Sequence, residues 1–230
     1  LLCFVVHWSI PQSLRRAFLV LASYAFYCSW NWKYGWLLLA VSLFSWAYGL
    51  WLSRQEDPGR WLGLGVVVEL APLIYFKYGE FLVHNFSQLV HAAGSGWHAA
   101  APRIVLPLGI SFFTFQGIAY LVDVATGAPP LRRPLDFLLY KSFWPQLIAG
   151  PIIRPEEIRA QIETPRTVTV EDLRVGAQRI IAGLFKKMVL ADLVSSYVDA
   201  AFVTNARPGI VDAVAGILGT TALGLTAPAI

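Results

Sequence analysis

The stretch LPLGISFFTFQGIAYLVDV at residues 106–124, followed by FWPQLIAGPIIRP at residues 143–155, decides the fold of this chain. From Ile104 to Val122 the sequence carries no charged residue. As one helix, these positions would cover about 28 Å, which is close to the hydrocarbon thickness of a bilayer. The first part of the stretch therefore predicts a membrane-spanning helix.

The second part of the stretch predicts a broken segment. The apolar residues from Leu135 to Ile153 are interrupted by Lys141, Pro145 and Gly150, and basic residues flank them on both sides. A single crossing would put these two basic regions on opposite faces of the membrane. We therefore expect a re-entrant helix whose irregular backbone lines a cavity inside the protein.

The composition extends this interpretation to the whole chain. Hydrophobic residues make up 57% of the sequence and charged residues 14%, and apolar runs recur from end to end. The prediction is an all-α, polytopic transmembrane bundle. The net charge of +4 is too small to indicate a nucleic-acid partner. Cys3 and Cys28 stand singly in apolar runs, which predicts buried thiols and neither a disulfide framework nor a cysteine metal site.

Both ends of the sequence interrupt apolar runs. The chain opens at Leu1 without a methionine and closes at Ile230 without a polar tail. We therefore expect residues 1–230 to form a single transmembrane domain that is truncated at both ends.

Further apolar runs predict the other helices. Basic residues lie between these runs at positions that would place them on one side of the membrane: Arg15, Arg54 and the pair Arg132/Arg133. The positive-inside rule assigns this side to the cytoplasm. Residues 77–103 are predicted as a loop with one short helix. The predicted helices outside the opening stretch are Ala17–Trp32, Tyr34–Ser53, Trp61–Phe76, Phe81–Ala92, Met188–Val203 and Pro208–Ile230.

Glu69 is the acidic residue inside the Trp61–Phe76 run. A carboxylate within a span is unfavourable by at least about 2.5 kcal/mol unless it faces a cavity or meets a partner. Two interpretations stay open. Glu69 belongs to a functional site, or it forms a helix-packing hydrogen bond beside the kink expected at Pro72.

Three histidines recur every seven residues, at His84, His91 and His98. On a helix, His84 and His91 would lie about 10 Å apart, which is too far for one metal ion, and glycines interrupt the helix before His98. We predict no metal site and interpret these histidines as solvated, like His7.

The region after Arg154 predicts a cytoplasmic amphipathic helix. Thr169 followed by acidic residues marks its start, apolar residues from Leu173 to Leu184 form a stripe, and Lys186 and Lys187 mark its end. The following run carries a polar stripe, which either packs against a neighbouring helix or lines a substrate path. The stripe consists of Asp192, Ser195, Ser196 and Asp199.

Three blocks of the sequence resemble consecutive blocks of the membrane-bound O-acyltransferase (MBOAT) family, and most closely its bacterial branch. They are LPLGISFFTFQGIAYLVDV at 106–124, FWPQLIAGPIIRPEEI at 143–158 and GLFKKMVLADLV at 183–194. Their order and spacing also match. The resemblance covers nearly all of the chain and implies that it is the N-terminal half of such a fold.

The resemblance implies acyl transfer, with acetyl as the expected group, from a cytoplasmic donor to a hydroxyl of an extracytoplasmic polysaccharide such as alginate. The donor would be acetyl-CoA or another acyl thioester, and no bound cofactor is expected. The implied setting is the bacterial inner membrane, with lipid, the polysaccharide acceptor and a periplasmic acetyltransferase as partners. The histidine that this family uses as a base follows a YFDFSGYSDMA-like block, so we expect it beyond Ile230 and assign no catalytic residue here.

Polar residues within the matching blocks are the candidates for lining the substrate path. They are Gln116, Gln146, Arg154, Lys186 and Lys187. Without the resemblance, Glu69 and Asp123 near spans, together with the polar stripe, would also suit a transporter or channel. Transporters commonly show internal repeats with matching broken helices, whereas this sequence has one broken segment. A catalytically inactive membrane subunit is the third alternative.

Overall fold

The computed structural model describes residues 2–92, 105–148, 150, 153–163, 168–192, 195 and 198. Regular structure in these residues is entirely helical, which confirms the all-α prediction. The contacts divide the chain into two compact units, Leu1–Pro165 and Arg166–Ile230, and each is described by itself. The helices are α1 (Leu2–Ser9), α2 (Gln12–Trp30), α3 (Trp32–Leu52), α4 (Pro58–Leu73), α5 (Gly79–Ala92), α6 (Ile110–Ala125), α7 (Pro134–Ser142), α8 (Trp144–Leu147), α9 (Pro155–Glu163) and α10 (Val170–Phe185).

Helices α2 and α3 correspond to the predicted helices Ala17–Trp32 and Tyr34–Ser53, and they pack against each other. The helical path breaks at Asn31, whose backbone is extended and whose side chain accepts a hydrogen bond from the Lys33 amide at the start of α3. Helix α2 begins at Gln12 and not at Ala17, so it includes Arg15 and Arg16. By length and composition, α3 is the one helix among the described residues that could cross a membrane, with 21 residues.

Helix α4 continues into α5 through a π-helical turn, Ile74–Tyr78. Pro72 lies inside α4, where its missing N–H removes one backbone hydrogen bond, and the wider turn follows directly. The prediction of a loop from residue 77 is therefore wrong at its start, because helical structure runs on to Ala92. The predicted helix Phe81–Ala92 is confirmed as the greater part of α5.

The start of α6 differs from the prediction. Residues 105–109 are not helical and α6 begins at Ile110, so the predicted helix from Ile104 is wrong in its first turns. Gly109 has a φ of 70°, and a Cβ atom there would lie 2.5 Å from the Leu147 carbonyl oxygen, so this position requires glycine. The hydroxyls of Tyr34 and Tyr27 donate to carbonyls of the non-helical segment, at 2.6 Å and 2.9 Å respectively. Helix α6 then has 16 residues, or about 24 Å.

The core of the first unit lies between five helices, with α6 packed against α3 and α4, and α7 packed against α2 and α3. One cluster of buried side chains lies near the start of α6 and the other near its end. Cys3 and Cys28 are free but only half-buried, which corrects the expectation of buried thiols. The two clusters consist of Tyr27, Leu38, Val41, Leu73, Ile110, Phe113 and Leu147, and of Leu52, Tyr120, Leu121, Val124, Leu131, Phe137 and Tyr140.

The basic residues predicted on one side lie at one end of this unit. Arg16 at the start of α2 bonds to Asp136 at the start of α7, with an N–O distance of 3.0 Å. Arg54 after α3 and Arg132 before α7 line a common cavity. Arg54 and Arg132 thus lie together as predicted, while the assignment of this end to the cytoplasm stays a prediction.

The second unit is described mainly through α10. Thr169 and Asp172 form a reciprocal capping box at its start, which confirms the predicted helix start. Its apolar residues Leu173, Ile180 and Leu184 are exposed within the described structure. A π-helical turn, Lys186–Ala191, follows. Ser196, Asp199 and the predicted span Pro208–Ile230 lie outside the described residues, as does most of the predicted span Met188–Val203 beyond Asp192.

Candidate functional site

A buried ion pair joins α4 to α7 in the middle of the first unit. Glu69 and Lys141 are both 0% exposed, and the lysine Nζ lies 3.4 Å from each carboxylate oxygen of Glu69. Two opposite charges that are both removed from water require each other, because either one alone would be left without solvent or a counter-charge. The structure thus supplies the partner that Glu69 requires.

Ser45 on α3 completes a three-helix polar cluster with this pair. Its hydroxyl contacts both the Glu69 carboxylate and the Lys141 ammonium group, and it lies 2.7 Å from the Val41 carbonyl oxygen. A hydroxyl has one hydrogen to donate, so Ser45 donates to the carboxylate or to the carbonyl and accepts from the lysine. The Ser45–Glu69–Lys141 cluster therefore ties α3, α4 and α7 together by charge-assisted hydrogen bonds.

Helix α6 covers the cluster with a glycine. A Cβ atom at Gly117 would lie 2.6 Å from the Glu69 Oε2 atom and 2.6 Å from the Lys141 Nζ atom. Real side-chain atoms do not approach so closely, so any larger residue would displace the pair. Gly117 is thus required for the close approach of the α6 backbone to buried charges.

The helical path breaks at Phe143, between α7 and α8, where the sequence predicted a broken segment. In an uninterrupted helix the Trp144 amide would donate to the Tyr140 carbonyl. Both groups instead have side-chain partners, because the Trp144 amide donates to the Ser23 hydroxyl at 3.3 Å and the Tyr140 carbonyl accepts from Gln116 Nε2 at 3.0 Å. Pro145 has no N–H, so the next backbone bond is absent as well. Side chains of α2 and α6 therefore bond to two of the backbone groups that the break leaves without their helical partners.

The five sequence-predicted path residues have different environments. Gln116 is buried and reaches the break, Gln146 is half-buried in α8, and Arg154 is exposed before α9. Lys186 and Lys187 belong to the second unit, where both are exposed and Lys187 bonds to Asp192 at an N–O distance of 3.1 Å. Their role as path residues stays a prediction.

Sequence reasoning identified Glu69 but missed its partners. Lys141 is the basic residue inside the Leu135–Ile153 run, just as Glu69 is the acidic residue inside Trp61–Phe76. Opposite charges in two separate apolar runs are a signal for a buried pair. No sequence signal of comparable strength points to Ser45, Ser23 or Gly117.

The histidines are described only in part. His84 is exposed on α5, and its Nε2 atom lies 2.9 Å from the Gln88 side-chain nitrogen. Within the described residues, no three histidine, cysteine or acidic side chains are grouped as a metal ion would need. His98 and the side chain of His91 are outside the described part of the chain.

Comparison with known proteins gives extended similarity to bacterial O-acetylating enzymes. The chain is 35% identical over 222 residues to a protein of Azotobacter vinelandii named probable alginate O-acetylase, covering 94% of this chain and 44% of that protein. It is 36% identical over 216 residues to a protein of the same name from Pseudomonas aeruginosa, covering 92% of this chain and 41% of that protein. It is 34% identical over 217 residues to the peptidoglycan O-acetyltransferase of Helicobacter pylori, covering 81% of this chain and 40% of that protein.

These relatives are longer than the chain, which spans less than half of their length. No family model matches the sequence. No solved structure matches it either.

Proposed function

Because the chain belongs to the membrane-bound O-acyltransferase family, we propose that the protein carrying it is an acyltransferase. It transfers an acyl group, which we expect to be acetyl, to a hydroxyl of a polysaccharide outside the cytoplasm. The observation that supports this proposal is the identity of 35–36% to alginate O-acetylases over 92–94% of this chain. A match of this length covers nearly the whole chain and is not confined to one motif.

The reaction requires a base and an acyl thioester. The acceptor hydroxyl loses its proton to the base, its oxygen forms a bond to the acyl carbon, and the thiolate leaves. Histidine suits the role of base near neutral pH. We assign it to the part of the protein beyond residue 230, as the resemblance implies. The donor would be acetyl-CoA or another acyl thioester that arrives from the cytoplasmic side.

The 230 residues of this chain supply a scaffold and part of the substrate path in this proposal. Irregular backbone at membrane depth is tolerated where it is buried in protein or lines a cavity, and we propose that the break at Phe143 lines such a cavity. We place the path along this break, with Gln116 and Gln146 beside it and Arg154 at its exit. Lys186 and Lys187 would act at the cytoplasmic surface, where the donor enters.

The proposed setting is the bacterial inner membrane, crossed several times. Helix α3 has the length and composition for a crossing, and the end with Arg54 and Arg132 would face the cytoplasm by the positive-inside rule. Lipid would surround the bundle, and a periplasmic acetyltransferase would complete the transfer. Alginate and peptidoglycan both occur in the names of the relatives, so either is a candidate acceptor.

Complementation tests this function. The full-length protein is expressed in an alginate-producing bacterium that lacks its own O-acetylase, and in a second strain that lacks its peptidoglycan O-acetyltransferase. Acetyl esters on each isolated polymer are then measured. We expect acetylation of one polymer to return, and to be lost when the histidine beyond residue 230 is replaced by alanine. Acetylation of neither polymer, or acetylation that survives the histidine replacement, would contradict the proposal.

The same assay tests the path residues. Gln146→Ala and Arg154→Ala are expected to lower acetylation while the protein remains in the membrane at its normal level. Gln88→Ala and Arg60→Ala are matched controls, because both side chains are exposed and lie outside the break. Normal acetylation with both path variants would remove Gln146 and Arg154 from the path.

A further inference from the structure

A cavity of about 730 Å³ opens at the basic end of the first unit. The end of α3, the start of α4, the end of α6 and the following loop form its walls. Leu50 and Val124 contribute apolar surface, while Pro129 and Pro130 make one wall from backbone of restricted freedom. The volume lies in the range of small-molecule binding sites.

The charge of this cavity is entirely positive. Arg54 and Arg132 line it, and no acidic residue does. Two other arginines of this unit have partners, since Arg16 bonds to Asp136 and Arg159 donates to the Pro129 carbonyl. In the described part of the chain, by contrast, neither Arg54 nor Arg132 has an ion pair or a side-chain hydrogen bond. Two arginines whose side chains have no partner in the described structure thus line one concave site.

We propose that this cavity binds a phosphate group, held by Arg54 and Arg132. A guanidinium group presents a planar fork of N–H donors that matches phosphate oxygens, and two such groups can bind one phosphate from two sides. The apolar walls would then contact the remainder of the ligand. Two sources share this chemistry, an anionic phospholipid headgroup and a soluble phosphate compound. Binding at this site does not depend on the proposed acyl transfer.

The test is ligand-induced stabilisation of the purified full-length protein. Its thermal midpoint is measured in detergent with and without inorganic pyrophosphate, and in phosphatidylcholine nanodiscs with and without phosphatidylglycerol. A ligand that binds the folded state raises the midpoint. We compare the R54Q/R132Q variant with the R60Q/R133Q variant. The control removes the same charge from the same end of the unit, at exposed arginines that do not line the cavity.

We expect one probe or both to raise the midpoint of the wild type and of R60Q/R133Q. The R54Q/R132Q variant should show a loss of affinity of about tenfold or more, because it removes charge-assisted hydrogen bonds. A response to phosphatidylglycerol alone identifies a lipid headgroup, and a response to pyrophosphate identifies a soluble ligand. The proposal is overturned if neither probe raises the midpoint of the wild type, or if the ligand-induced rise is lost equally in both double variants. The single variants R54Q and R132Q keep the comparison decisive if the double variant fails to fold.

Discussion

The ion pairs Glu69–Lys141 and Glu171–Arg174 each join a glutamate to a basic side chain, but their environments are opposite. The first pair is buried between α4 and α7, with both side chains 0% exposed and an N–O distance of 3.4 Å. The second lies on the surface of α10, with its side chains 60% and 62% exposed and a shorter distance of 2.6 Å. The hydrogen bonds from Arg174 hold the pKa of Glu171 below its usual range.

The difference shows that distance alone does not rank ion pairs. Water solvates each member of the exposed pair when the other is removed, so the shorter contact contributes little to stability. Lys141 and Glu69 have no such alternative, and the loss of one leaves the other buried without a counter-charge. The longer contact is therefore the one on which the first unit depends.

The largest effect is expected from Lys141→Met. This change leaves the Glu69 carboxylate buried without its counter-charge and should lower the free energy of unfolding by about 3–5 kcal/mol. Reversible denaturation of the full-length protein in detergent micelles measures it. The double variant Glu69→Leu/Lys141→Met should recover most of the loss, because a buried pair can often be replaced by apolar residues at little cost. A double variant that is less stable than Lys141→Met would contradict this account.

A smaller effect is expected from Gly117→Ala. The added methyl group would lie 2.6 Å from atoms of both charged residues and should lower stability by about 1–3 kcal/mol through overpacking. Gly63→Ala on α4 is the matched control, because a Cβ atom there meets nothing within 4 Å. That control should be neutral or slightly stabilising. Equal thermal midpoints for the two variants would show that α6 does not press against the pair.

Gln116→Leu tests the break and not the ion pair. It leaves the Tyr140 carbonyl buried without the Gln116 donor, which should lower the free energy of unfolding by about 1–3 kcal/mol. Gln88→Leu on the exposed face of α5 serves as the control and should change little. The same denaturation assay applies. An unchanged Gln116→Leu variant would mean that the break finds another donor.

The smallest effect is expected from Arg174→Gln. It removes the exposed pair on α10, and water replaces the lost hydrogen bonds of Glu171. The thermal midpoint should stay at the wild-type value at both low and high salt. A decrease comparable to that of Lys141→Met would overturn the distinction between the two pairs.

The helices were predictable where local residues determine them. The apolar runs Ala17–Trp32 and Tyr34–Ser53 predicted α2 and α3, and Thr169 with its acidic neighbours predicted the start of α10, since these signals act within a few residues. The break near Pro145 was predictable for the same reason, because proline cannot donate a backbone hydrogen bond.

Features that depend on packing between distant segments were not predictable. At Gly109, only the packing shows that the backbone lies against the Leu147 carbonyl, which belongs to another helix. The sequence showed that Glu69 needed a partner, but Lys141 lies 72 residues away and only the packing of α4 near α7 selects it. The same holds for Ser23 and Gln116, which form hydrogen bonds to backbone groups at the break although they belong to other helices.

The order of residues in the polar cluster has a consequence for biosynthesis. Ser45 precedes Glu69 by 24 residues, and Glu69 precedes Lys141 by 72. At a synthesis rate of about 5–20 residues per second, Glu69 exists for roughly 4–14 s before its counter-charge is made. During that interval the Ser45 hydroxyl is the partner already available. Helix α7, the last-made of the three, therefore closes the cluster, and a nascent chain that stalls before it would hold an unneutralised carboxylate.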